Sequence, residues 1–109
     1  MEFKTHNDGD INVSFTCLQG HLEASYEDLC TAFGPHHTNV DDMKCDAGWD
    51  LMFSDGTVAC IYNWKNGHNY MGSDGKAIKD MTYWNIGAKH AWVAGMVEQA
   101  LRAAVREAA

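Results

Sequence analysis

The stretch 65–76, K-N-G-H-N-Y-M-G-S-D-G-K, gathers the side chains best suited to hold a small ligand. Lys65, His68, Tyr70 and Lys76 supply cations and an aromatic ring, and three glycines leave backbone amides open to close approach. That combination suits a phosphate or a nucleotide. The spacing matches neither G-x-x-x-x-G-K-[ST] nor G-x-G-x-x-G, so a structured connection between elements is the plainer account. A loop this long inside a compact domain is nonetheless often functional.

The second chemical set is acidic. Fifteen Asp and Glu stand against eight Lys and Arg, for a net charge of −7. Residues 1–60 hold eleven of the acids against Lys4 and Lys44, whereas residues 61–109 hold four acids and six bases. Phosphate repulsion therefore opposes direct nucleic-acid binding by the first half. Glu23, Glu27, Asp28, Asp41, Asp42, Asp46 and Asp50 suit a basic surface on a partner protein instead, or a solvated face that keeps a small protein soluble.

Other chemistries fit the residues poorly. Zinc would have to draw on Cys30, His36, His37 or Cys45, whose spacing is not that of structural zinc sites. Asp41, Asp42, Asp46 and Asp50 lack the D-x-D-x-D-G register of a calcium loop. Cys17, Cys30, Cys45 and Cys60 lie 13, 15 and 15 residues apart with no C-x-x-C. They read as reduced thiols, three of them (Cys17, Cys30, Cys60) where a small apolar side chain is wanted. No base–nucleophile pair is visible. The expectation is a protein that is not an enzyme, with no catalytic residues, metal or cofactor.

The chain length of 109 residues and an apolar fraction of 46% describe one domain with one core. No apolar run approaches the roughly 20 residues that span a bilayer, and the first ten residues are polar. The expected setting is cytoplasmic, without a membrane partner.

These side chains must be positioned by a few elements. Residues 1–10 read as a flexible arm, and residues 11–109 as a single α+β domain. Ile11, Val13, Phe15 and Cys17 alternate as in a strand, with a bulge or bend at Gly20. Ser25 opens a helix that Gly34-Pro35 ends. Met81 to Ile86 alternates again, and from about Lys89 a helix carries Val93, Val97 and Leu101 on one face.

Between the first helix and the 65–76 stretch lies W-D-L-M-F-S-D-G-T-V-A-C-I-Y-N-W (49–64). Asp55-Gly56 is the signature of a two-residue type I′ hairpin. Pairing outward from it sets Phe53 opposite Val58, Leu51 opposite Cys60 and Trp49 opposite Tyr62, with Trp64 on the same core face. In that register Met52, Ala59 and Ile61 form a smaller apolar strip on the other face, a candidate protein or dimer interface. The resulting order is β-α-β-β-β-α: a two-layer domain, an antiparallel sheet of about four strands with two helices.

Three segments taken together resemble a group of small bacteriophage and prophage accessory proteins. They are L-Q-G-H-L-E-A-S-Y-E-D-L-C-T-A-F-G (18–34), W-D-L-M-F-S-D-G-T-V-A-C-I-Y-N-W-K-N-G-H-N-Y-M-G (49–72) and W-N-I-G-A (84–88). That group shares the pattern L-Q-G-x-I-x-A-S-Y-x-x-L, D-G-T-V-A-T-I-Y-N-W-K, G-x-N-Y-x-G and W-x-I-G-G. The chain departs from it at Cys60 and Ala88. No catalytic residues accompany the resemblance. It implies a counter-defence setting: an inhibitor, of the anti-CRISPR kind or a related one, that occupies the basic surface of a host defence protein. The alternative is a protein that sequesters a nucleotide signal through residues 65–76.

Overall fold

The fold was obtained as a computed structural model that describes residues 3–5, 11–36 and 45–109. Strand β1 (Phe3–Thr5) and strand β2 (Cys17–Glu23) precede helix α1 (Tyr26–Phe33). Strands β3 (Gly48–Phe53) and β4 (Val58–Tyr62) follow, then the short helix α2 (His68–Met71), strand β5 (Tyr83–Ala88) and helix α3 (Val93–Ala108). All strand pairs are antiparallel, in the order β1-β3-β4-β5-β2. The two-layer α+β class is as expected, with one more strand and one more short helix.

Helix α1 forms where the cap signals place it. Ser25 Oγ accepts from the Asp28 amide at 3.0 Å, and Gly34 closes the helix with φ 81° and its amide on the Cys30 carbonyl. Leu29 and Phe33 from this helix meet Val93, Val97 and Leu101 from α3 over one face of the sheet. Trp49 and Trp84 lie at the centre of this core, edge to face with ring centroids 5.4 Å apart. Each indole N–H finds a backbone acceptor, Trp49 on Gly34 and Trp84 on Ala24. Two sequence-distant joints are thereby tied to the same ring pair.

The hairpin forms, but in another register. Gly56 (φ 88°) is left-handed and Asp55 is not, which excludes a type I′ turn. Phe53 donates to the Thr57 carbonyl at 2.8 Å, and the Gly56 amide returns to the Phe53 carbonyl at 2.9 Å. Ser54, Asp55 and Gly56 therefore make a three-residue loop. Asp55 Oδ1 accepts from the Thr57 amide, which holds its carboxyl below the ordinary carboxylate range. The pairs become Leu51 with Ala59 and Trp49 with Ile61, one residue away from the expected ones.

That single step turns β4 over. Ala59, Ile61 and Asn63 enter the core, while Val58, Cys60 and Tyr62 join Met52 on the opposite face. Trp64 goes with them to the surface, 43% exposed. Two further expectations change. Phe3–Thr5, placed in an arm, is an edge strand on β3, with Phe3 edge to face against Phe33 and Phe53. Residues 11–16 are not a strand; the strand starts at Cys17, which is exposed, and its register slips between Leu18 and Gly20.

Candidate functional site

Asn63 is wholly buried, and its amide is fully used. Oδ1 accepts from the Asp46 and Ala47 amides at 2.6 and 2.9 Å, and Nδ2 donates to Asp46 Oδ1 and Asn66 Oδ1 at 2.9 and 3.0 Å. Asp46 Oδ2 then accepts from the Asn69 amide, and Asn69 Nδ2 donates to the Cys45 carbonyl. This network clamps the start of the 65–76 stretch against the entry to β3. The glycines belong to the clamp. A Cβ on Gly67 would run into the Asp46 carboxylate, and one on Gly75 into the Gly67 backbone. A bridge from Gly67 to Lys76 closes the stretch, with the Lys76 amide on the Asn66 carbonyl at 2.8 Å.

The clamp divides the four expected ligand residues. Lys65, itself left-handed at φ 60°, extends over the Trp64 and Tyr70 rings at 5.8 and 5.5 Å. Lys76 is exposed and joined to the loop through its backbone. His68 lines a cleft whose walls include none of Lys65, Tyr70 and Lys76.

That cleft, about 360 Å³, lies between α1 and the 65–80 region and is lined by Tyr26, His36, Asp46, His68, Ile78 and Lys79 among others. The Tyr26 hydroxyl and His36 Nδ1 are 2.8 Å apart, and both rings pack on Trp49. Burial, reinforced by Cys30, pushes the Tyr26 hydroxyl up to about 12, so it stays protonated at neutral pH. His68 Nδ1 reaches the Gly72 carbonyl at 2.7 Å. A carbonyl only accepts, so this nitrogen carries the proton and leaves Nε2 for other partners. Tyr26, Ile78 and Lys79 escaped the sequence reading, because four separate segments supply this cleft and none carries a local motif.

The acidic residues do not share one face. Glu23 and Asp28 line a groove with Arg102 and Arg106 of α3, which offsets part of their charge; Glu27 is exposed on the first turn of α1. Asp46 belongs to the Asn63 network. Asp50 is 8% exposed and pairs with Cys60 on the other face of the sheet. Asp41 and Asp42 lie outside the described residues.

On the face away from the helices, the sheet carries aromatic side chains. Tyr62 meets Trp64 edge to face, and His21 stacks on Tyr83 at 5.0 Å. Thr16 lies over Cys60 and Gly87 of this face, and beside it Phe15 is 95% exposed. Phe15 also has φ 67°, a backbone conformation that bulky residues rarely adopt. Burial holds the Cys60 thiol above its ordinary range, which keeps it in the unreactive protonated form at neutral pH. Among the described residues, no group of three or more His, Cys, Asp or Glu is placed to hold a metal ion. No helix there is long and apolar enough to cross a membrane.

No protein-family model matches the chain, and comparison with curated proteins gives no match.

Proposed function

We propose that this protein acts by binding a basic partner protein through the open face of its sheet. The observation that carries this reading is the set of solvent-facing aromatics there: Phe15, Trp64 and Tyr83, from three separate segments. Aromatic side chains exposed together are the usual energetic anchors of protein interfaces. The net charge of −7, with Glu23 and Glu27 exposed, steers such a surface toward a basic partner. In the phage setting implied by the resemblance, that partner is a host defence protein, and binding blocks its nucleic-acid-handling surface. The aromatics supply affinity in this scheme, and the carboxylates supply rate and selection.

The test is retention of bacterial proteins on the immobilised chain, read by mass spectrometry and repeated by biosensor with the protein retained. A Phe15→Ala/Trp64→Ala/Tyr83→Ala variant should lose the partner. A Glu23→Lys/Glu27→Lys variant should associate more slowly, with a weaker dependence on salt. Equal retention by the parent and the aromatic variant would refute the reading.

A further inference from the structure

Strand β2 ends the sheet, and among the described residues no strand pairs with its outer side. It is seven residues long, against three for β1 at the opposite edge. Sheet edges are ordinarily blunted by brevity, lysine or proline. β1 is short and carries Lys4, whereas β2 contains no Lys, Arg or Pro. Its register slips between Leu18 and Gly20, which leaves residues 20–24 as the regular run.

One bond tells which groups this edge offers. The Ala24 amide donates to the Thr82 carbonyl at 2.9 Å, one step beyond the Glu23–Tyr83 pair. Bonded and non-bonded positions alternate along an antiparallel ladder, so Leu22 and Ala24 bond inward to β5. His21 and Glu23 then turn their amides and carbonyls outward, and both residues are exposed. Among the described residues neither has a backbone partner beyond the sheet.

The two sides of the run differ. On the helix side, Leu22 and Ala24 border a groove of about 320 Å³ with Leu101 and Val105 of α3. The charges along it, Glu23 and Asp28 against Arg102 and Arg106, balance, so its apolar floor decides what it accepts. On the other side His21 stacks on Tyr83, and Glu23 stands opposite Tyr83. Residues 11–36, which include this edge, hold Glu23, Glu27 and Asp28 and no Lys or Arg. A strand added here alternates between the two sides. Its groove positions suit apolar side chains, and its positions over Glu23 and the Tyr83 ring suit cations. A second copy of β2 does not fit, because Cys17–Glu23 brings no Lys or Arg to Glu23.

We infer that β2 takes up an extended segment of the partner protein as a sixth strand, with apolar side chains in the groove and Lys or Arg over Glu23 and Tyr83. This deepens the proposed function and rests on its reading of a basic partner.

The peptide K-V-K-V-K-V-K, titrated by calorimetry and followed by amide NMR, is the probe. It should bind and slow hydrogen exchange at the His21 and Glu23 amides. The peptide E-V-E-V-E-V-E should bind at least about tenfold more weakly. So should the lysine peptide with its backbone amides methylated, which keeps the side chains and removes the donors. His21→Pro withdraws an outward amide at a position where the ladder loses no bond, and should weaken the lysine peptide about tenfold. The Tm of this variant without peptide verifies its fold, and the methylated peptide tests the same point on the unaltered protein. Equal affinity for the methylated and unmethylated peptides would overturn the inference, as would no binding at millimolar concentration. A protein that dimerises alone with these two amides protected would give the edge to a second copy and overturn it too. Retention of the partner separates this failure from that of the wider reading. A partner lost by Phe15→Ala/Trp64→Ala/Tyr83→Ala but kept fully by His21→Pro removes the edge and leaves the face.

Discussion

Asp46 and Asn63 bind each other twice. The Asp46 amide donates to Asn63 Oδ1 at 2.6 Å, and Asn63 Nδ2 donates back to Asp46 Oδ1 at 2.9 Å. A carboxylate that sequence alone offers to a partner is thus held inside the fold. It organises the loop that carries His68 and lines the same cleft as Tyr26 and His36.

Removing this amide should be severe. Asn63→Ala withdraws the acceptor from the Asp46 and Ala47 amides, and each buried amide left unsatisfied costs about 1–3 kcal/mol. Urea denaturation should show a loss at the upper end of that range or beyond. A loss under about 0.5 kcal/mol, the level of ordinary surface changes, would show that the network contributes nothing.

Two glycines should respond with opposite signs. Gly95 lies in α3 with open space around its Cβ position, so Gly95→Ala should stabilise by roughly 0.5–1 kcal/mol. Gly75→Ala drives a methyl group into the Gly67 backbone and should destabilise instead. The comparison of urea midpoints reads both directly.

Phe15 separates stability from binding. Its φ of 67° is a strained conformation for a bulky residue, and its ring is 95% exposed, so the folded state gains little from it. Phe15→Gly should leave stability unchanged or raise it by up to about 1 kcal/mol, while weakening partner binding. A destabilised Phe15→Gly variant would mean that the ring supports the fold.

Alkali should unfold the protein early. The Cys60 thiol and the Tyr26 and Tyr62 hydroxyls are all held above their ordinary values, chiefly by burial. Between the unfolded and folded values the native state keeps protons that the unfolded chain has released, so stability is complete below this window and falls as pH rises through it. For Cys60 the decline starts near pH 9, and for Tyr26 it runs from about 10 to about 12. Tm measured from pH 7 to 11 should fall above 9, and Cys60→Ala should delay the onset. An onset unchanged by that substitution would remove Cys60 as the cause.

Much of the scaffold is local in origin and was legible residue by residue. Ser25 and Gly34 bound α1 because a side-chain acceptor and a left-handed residue solve the two ends of a helix within a few positions. Val93, Val97 and Leu101 define α3 through a repeat that needs no partner to be seen. The presence of a hairpin at Asp55-Gly56 and the α+β class follow in the same way.

The register did not, because alternation along β4 is ambiguous: Val58, Cys60 and Tyr62 are as apolar as Ala59 and Ile61. A one-residue difference in the turn chose between them, and only the helices waiting over one face gave that choice its consequence. The same holds for function. Composition set the net charge, but the chain's path sent Asp46 into a polar clamp, Asp50 to the sheet and Glu23 beside Arg102 and Arg106. Tyr26, His36, His68 and Lys79 meet in a cleft only because Tyr26 and His36 pack on Trp49 while residues Ile78–Asp80 fold against α1, long-range contacts that no short window of sequence contains.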